Sequence, residues 1–204
     1  ARKVIYASTG GAVYGEPQFL PVTEAHPANP LDNYGASKHH VEHHLALYQA
    51  NYGLAYTILR YPNVYGPRQD PHGEAGVVAI FAQAMLDGRP ATINGTGEQE
   101  RDFVFARDVA LANLLSLDKG DGQIYNIGSG VGTNIVTIFD SLREITQYLL
   151  PPVHGPKKLG EVWKIYLDAS KAKPELGWQV ETKLDNGLEK TVEFFKGQGK
   201  RDRG

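Results

Sequence analysis

Tyr34 and Lys38 stand four residues apart in Tyr34-Gly35-Ala36-Ser37-Lys38. In a helix that spacing puts the phenol and the ammonium on one face. A free phenol titrates near pH ~10 and is a poor base at neutral pH, but an adjacent cation favours its phenolate. Such a pair could take a proton from an alcohol, a sugar hydroxyl among them. A solvated i,i+4 pair without any chemistry has the same spacing, so the surrounding residues must decide.

Several neighbours carry chemistry of their own. Ser8 and Thr9 offer hydroxyls at the end of an apolar run, followed by Gly10-Gly11, where backbone can come close to a ligand. Arg101 has the planar fork that suits phosphate oxygens; as a strand-surface residue it would instead pair with Asp102 or Glu98. Asn63 reads either as a ligand contact or as a turn residue bonding its own backbone. His39-His40-Val41-Glu42-His43-His44 offers i,i+4 histidine pairs but no third ligand, so a solvated helix face is expected and no metal. Gly128-Ser129-Gly130-Val131-Gly132 lacks the later glycine and the distant acidic residue of a dinucleotide turn, and reads as a structural turn. Trp163, Trp178 and Phe194-Phe195 read as packing residues.

The elements that would position these groups alternate between strand and helix. Val4–Ala7 reads as a short buried strand. Asp32 caps a helix from about Tyr34 to Tyr52, stopped by Gly53. Ala55–Tyr61 is a parallel strand that leaves as the loop 61–68. Val77–Leu86 is a helix closed by Gly88, Ala91–Ile93 a strand, and Arg101–Phe105 another. Asp108 is expected to cap a helix with Val109, Ala112, Leu115 and Leu117 on its apolar side. Ile124–Ile127 is a strand, Ile138–Leu149 a helix, and Lys164–Leu167 a strand. A short helix from Ser170 ends at Gly177. The last helix carries Leu184, Leu188, Val192 and Phe195, with a polar tail expected to fray from Lys196. This order predicts an α/β fold: a partial doubly wound, Rossmann-like parallel sheet over residues 1–66, and a smaller mixed α/β lobe over 67–204 with elements returning to the sheet.

The chain of 204 residues is 41% hydrophobic, enough for a core. Its 21 basic and 23 acidic residues leave no electrostatic footprint for nucleic acid or an anionic membrane. It holds no cysteine, hence no disulfide or thiolate chemistry. No apolar run approaches the ~18 residues of a membrane span. A soluble, cytoplasmic protein is the expectation.

Four segments then occur in one order: Ala7-Ser8-Thr9-Gly10-Gly11-Ala12-Val13-Tyr14-Gly15; Tyr34-x-x-x-Lys38; Leu59-Arg60-Tyr61-Pro62-Asn63-Val64-Tyr65-Gly66-Pro67-Arg68; and Gly95-x-Gly97-x-x-x-Arg101-Asp102-Phe103. This series resembles the NAD-dependent epimerase/dehydratase family, the extended short-chain dehydrogenases that act on nucleotide sugars, and within it most the UDP-glucose 4-epimerases. The resemblance implies Tyr34 as catalytic base and acid, and Lys38 as the residue that tunes it and holds the nicotinamide ribose. Thr9 or Ser8 would bond the reacting sugar hydroxyl; counting back from Tyr14 without a gap puts Gly10 there instead. Tyr61 and Pro62 would contact NAD. Asn63, Val77, Ile93 and Asn94 would contact the UDP-sugar, Arg101 its diphosphate, and Lys158, in Lys158-Leu159-Gly160-Glu161, would add a second phosphate contact. Tyr34 would remove the sugar 4-OH proton while C4 gives hydride to NAD; the 4-keto sugar turns over and hydride returns to its other face.

Dehydratases of the family carry Asp-Glu where this chain has Gly10-Gly11, which argues against dehydration. A glycine-rich turn for the NAD pyrophosphate is missing ahead of Tyr34, so the resemblance implies about two further βαβ units before residue 1 and little NAD affinity for this chain alone. It also allows a homodimer through the Tyr34 helix. A non-catalytic fragment that only binds nucleotide sugar is the alternative.

Overall fold

The computed structural model describes residues 1–72, 76–157 and 161–201. Three parallel strands form the main sheet: β1 (Lys3–Thr9), β2 (Ala55–Tyr61) and β7 (Gln123–Asn126), in the order β1-β2-β7. Ala7 stands beside Leu59, and Leu59 beside Tyr125. Alternation along β2 sends Tyr56, Ile58 and Arg60 to one face and Leu59 to the other. The first face packs against α1 (Asn33–Tyr52) through Leu45, Tyr56 and Ile58. The second packs against α3 (Ala106–Leu115) and α5 (Ala172–Leu176) through Leu59, Val109, Ala112, Leu176 and Trp178.

The rest is a mixed lobe built on helices. In α2 (Val77–Leu86), Val78, Ala79, Phe81, Ala82, Ala84 and Met85 are all buried. It packs with α4 (Ile135–Thr146) and α6 (Leu184–Arg201) around Ile138, Phe139, Leu142, Leu188 and Val192. Each such side chain taken from water contributes ~1.5–3 kcal/mol before chain entropy is counted. Very short strands stitch the lobe together. β3 (Asn63–Tyr65) runs parallel to β6 (Phe103–Phe105). β4 (Thr92–Asn94) runs parallel to β9 (Val153–Gly155). β5 (Glu100–Arg101) lies between β10 (Lys164–Ile165) and β8 (Thr133–Asn134).

The expected α/β class and parallel sheet are present, and α1, β2 and α2 match their expected spans. Several local expectations change. The 61–68 loop contains β3, because Phe103–Phe105 offers it a partner. The Arg101–Phe105 strand is broken at Asp102, whose carboxylate turns inward. Asp108 caps nothing of its own helix: Phe105 holds the N-cap position, and the buried Asp108 carboxylate accepts hydrogen bonds from the Glu181 and Thr182 N–H groups and the Thr182 hydroxyl. Leu117 lies outside α3 and is exposed, α4 begins three residues earlier than Ile138, and α6 stays helical to Arg201. Trp178 is a core residue, but Trp163 is 42% exposed. Among the described residues no helix is long and apolar enough to cross a membrane.

Candidate active site

Both ends of α1 are fixed by its sequence. The Asp32 side chain accepts the Gly35 N–H at 2.6 Å, and Gly53 closes the helix in the left-handed conformation. A Cβ on Gly35 would stand 2.8 Å from the Ala12 carbonyl oxygen, so a bare residue lets the first turn lie against the 12–15 segment. The next face runs Tyr34, Lys38, Glu42 at i, i+4, i+8. Tyr34 is 55% exposed. The Lys38 Nζ lies 5.8 Å from the centre of its ring and donates to the Ala7 carbonyl oxygen at 2.9 Å. One contact thus ties the ammonium to the end of β1 and beside the phenol.

Glu42, absent from the sequence-based candidates, anchors the helix from below. It is 4% exposed and accepts two hydrogen bonds from Arg60 of β2, Nε at 2.9 Å and Nη2 at 2.6 Å. Burial pushes the Glu42 carboxyl up, but the bonds and charge of Arg60 prevail and hold it below the ordinary carboxylate range. Burial also works against the Arg60 charge, and Glu42 outweighs it, keeping the guanidinium above its ordinary value. Arg60 stacks over Tyr14 at 4.8 Å, whose hydroxyl donates to Asn126. A lone arginine in an apolar strand was the signal in the sequence, since a buried charge requires a partner.

This network engages one of the two candidate hydroxyls, while both Ser8 and Thr9 line the cleft that Tyr34 borders. The Ser8 hydroxyl donates to Glu42 at 2.5 Å, on the α1 face. Alternation turns Thr9 to the opposite face. There Thr9 Oγ1 and Asn63 Oδ1 flank Gly11, at 3.9 and 4.0 Å from where a Cβ on that glycine would stand. Gly10 packs its bare backbone against Leu167 and offers no hydroxyl.

Thr9, Gly11, Tyr34, Tyr61, Pro62, Asn63 and Gln69 line a cleft of about 410 Å³. Burial pushes the Tyr61 phenol up, and its oxygen accepts from Asn113. A second cleft of about 510 Å³ is lined by Asn63, Val77, Phe81, Thr92, Asn94, Arg101, Ile135 and Glu161. Asn63, Gly76 and Val77 border both, so the two clefts adjoin at the N-terminus of α2, a pair called the trough below. The N-cap of α2 is Gly76, which makes no side-chain cap bond. Helix N–H groups and the positive end of the dipole therefore face the trough.

Across from it, Arg101 Nη2 lies 2.9 Å from Glu161 Oε1, and Nη1 donates to the Glu100 carbonyl oxygen at 2.8 Å. Burial draws the Arg101 guanidinium below its ordinary value, with Glu161 countering. The alternative pairing with Asp102 or Glu98 is replaced by the one with Glu161. Asp102 is 1% exposed and accepts from Ser129 N and Oγ, Gly130 N and Leu167 N. Burial pushes its carboxyl up against those four donors. The Gly128-Ser129-Gly130 turn is therefore structural, its Ser129 and Gly130 N–H groups committed to Asp102. Ile93 also departs from expectation: the pleat of β4 turns its side chain into the core, 1% exposed, and presents Thr92 and Asn94 to the trough. Lys158 lies outside the described residues. Among the described residues no group of three metal-ligating side chains forms, though His40 and His44 approach at 3.0 Å on exposed α1.

Comparison with known proteins identifies the family. Residues 1–128 match the family described as the NAD dependent epimerase/dehydratase family. The UDP-glucose 4-epimerase of Mycolicibacterium smegmatis is 42% identical over 96% of the chain, which spans 63% of that protein. A UDP-glucose 4-epimerase of Thermotoga maritima, solved with UDP-glucose, superposes with a TM-score of 0.95 at 48% identity, covering 97% of this chain and 64% of that one. The UDP-glucose 4-epimerase of Thermus thermophilus, solved with NAD, superposes with a TM-score of 0.90 at 40% identity, covering 96% and 64%. The chain thus spans slightly under two-thirds of each.

Proposed function

The chain belongs to the NAD-dependent epimerase/dehydratase family, and from that premise we propose that it carries the nucleotide-sugar trough and the proton-transfer residues for inversion of a UDP-hexose at C4. The observation that carries this reading is a pair of adjoining clefts with a phenol–ammonium pair and a threonine hydroxyl in one and a guanidinium in the other. The hexose lies at the Thr9–Tyr34–Asn63 end. Tyr34 takes the 4-OH proton and later returns it, and the Lys38 ammonium supplies fixed positive charge beside the ring. The Thr9 hydroxyl, free of the Glu42 network that engages Ser8, bonds the reacting oxygen. Arg101 and the N–H groups of α2 face the diphosphate. Val77, Thr92 and Asn94 flank the nucleoside, with the position of Ile93 contributing backbone only.

NAD, when bound, accepts the C4 hydride and gives it back. The described residues fit its nicotinamide-ribose end. Tyr61 and Pro62 end β2 beside Tyr34, and Lys38 spends one of its three N–H donors on Ala7. They do not fit its pyrophosphate, since the glycine turn that most resembles a cradle is occupied by Asp102. That same observation favours a second reading, nucleotide-sugar binding without turnover.

An assay of UDP-galactose conversion to UDP-glucose with added NAD separates the two. Turnover that falls by at least ~100-fold in Tyr34→Phe, with unchanged circular dichroism, supports the epimerase reading. No turnover alongside firm UDP-sugar binding supports the second.

A further inference from the structure

Asp102 is the residue at which the chain changes sheets. Up to Arg101 it runs as β5, between β10 and β8; from Phe103 it runs as β6, beside β3. Main-chain bonds at this junction hold two residues of the trough. The Asp102 N–H donates to the Ile165 carbonyl oxygen at 3.1 Å, in the register that sets Arg101 beside Ile165. The Asp102 carbonyl oxygen accepts the Asn63 N–H at 3.0 Å. Arg101 lines the second cleft, and Asn63 borders both.

The side chain anchors what the main chain carries. Its donors come from two other segments. Ser129 N and Oγ, at 2.9 and 2.6 Å, and Gly130 N, at 3.2 Å, belong to the turn after β7; Leu167 N, at 3.1 Å, lies just beyond β10. A Cβ on Gly128 would collide with Asp102 Oδ2, so a bare residue lets that turn close on the carboxylate. Leu167 in turn packs on the bare backbone of Gly10, the residue after Thr9. An ionised carboxylate has acceptor sites for all of these donors and donates nothing; the isosteric amide would offer one oxygen and set its NH2 against N–H groups.

We propose that Asp102 is a positioning residue of the trough: by pinning the strand junction to the 128–130 turn and to Leu167, it fixes Arg101 for the substrate diphosphate and Asn63 for the sugar. The proposal rests on the nucleotide-sugar reading above. A guanidinium fork grips phosphate by direction as well as charge, so a small shift of its strand costs affinity. Asp108 supplies a matched control. It too is 1% exposed, and its carboxylate accepts three hydrogen bonds, from Glu181 and Thr182, but it lines neither cleft.

Calorimetric titration of UDP into Asp102→Asn and Asp108→Asn, beside thermal unfolding, tests it. Both substitutions should lower the melting temperature, since each leaves buried donors unsatisfied. Only Asp102→Asn should weaken UDP, by about tenfold. Added to Arg101→Gln, Asp102→Asn should weaken UDP by less than about threefold further, because the two variants lose the same grip. Should Asp102→Asn fail to fold, Ser129→Ala and Thr182→Ala form a milder pair, each removing one hydroxyl donor. Of these, Ser129→Ala alone should weaken UDP, by about threefold. Unchanged UDP affinity in the Asp102 or Ser129 variant, an equal loss in the Asp108 or Thr182 variant, or full additivity with Arg101→Gln overturns the proposal and leaves the nucleotide-sugar reading standing. If the wild type fails to bind UDP, that reading falls and this inference with it.

Discussion

Ser8 and Thr9 are neighbours in sequence that both line the cleft, and the proposed reading gives them different work: Ser8 bonds Glu42, and Thr9 meets the reacting oxygen. Thr9→Val should therefore lower turnover by at least about tenfold while leaving unfolding unchanged. Ser8→Ala should cost about 1 kcal/mol of stability with a smaller effect on rate, since it removes a buried hydrogen bond to Glu42. Urea unfolding and steady-state rates on both variants check the split. The Glu42–Arg60 pair gives a stability expectation of its own. Glu42→Gln leaves the Arg60 charge buried without its counter-charge, an expected loss of about 3–5 kcal/mol by urea unfolding. The folded-state pKa of Glu42 lies below the unfolded value of about 4.3. Its contribution is therefore complete above that value and lost as pH falls through the folded pKa. Wild type should show this acid loss in a pH series of unfolding midpoints, and Glu42→Gln should lack it.

At the scale of elements, α1 is the part that aims the chemistry. Gly35→Ala would press a methyl group into the Ala12 carbonyl and lift the first turn, Tyr34 with it. We expect a loss of about 1–3 kcal/mol and a fall in turnover larger than the stability change alone explains. Thermal unfolding beside a rate measurement separates the two effects. The sequence made α1 legible because both caps and the Tyr–Lys spacing are local: Asp32 and Gly53 bound it and nothing distant is needed. β2 was legible as a largely apolar, β-rich run. The two- and three-residue strands β3, β8 and β9 were not, because each exists only through a partner far along the chain. Asp108 was misread for a related reason. An acidic residue ahead of an apolar stripe looks like a cap, yet its donors lie more than seventy residues later. The buried roles of Asp102 and Glu42 were not legible because a buried carboxylate is recognised by its partners, and those come together only in the fold.

The whole molecule brings two units of different construction to one trough. The parallel sheet and α1 supply Thr9, Tyr34 and Lys38; the helical lobe supplies the α2 N-terminus and Arg101. The proposed proton-transfer pair lies on the first and the proposed anion site on the second. The motifs in the sequence gave the order of these residues, but not the trough that joins them. That trough depends on β3 crossing to β6, which seats Asn63 on the border of both clefts. The account stands on this adjacency. Titration calorimetry of UDP-glucose into the wild type, Tyr34→Phe and Arg101→Gln tests it most directly. The expected result is one site per chain, with Arg101→Gln weakening UDP-glucose and UDP alike by about tenfold or more and Tyr34→Phe leaving UDP untouched. Binding of UDP-glucose indifferent to the loss of Arg101 would contradict it.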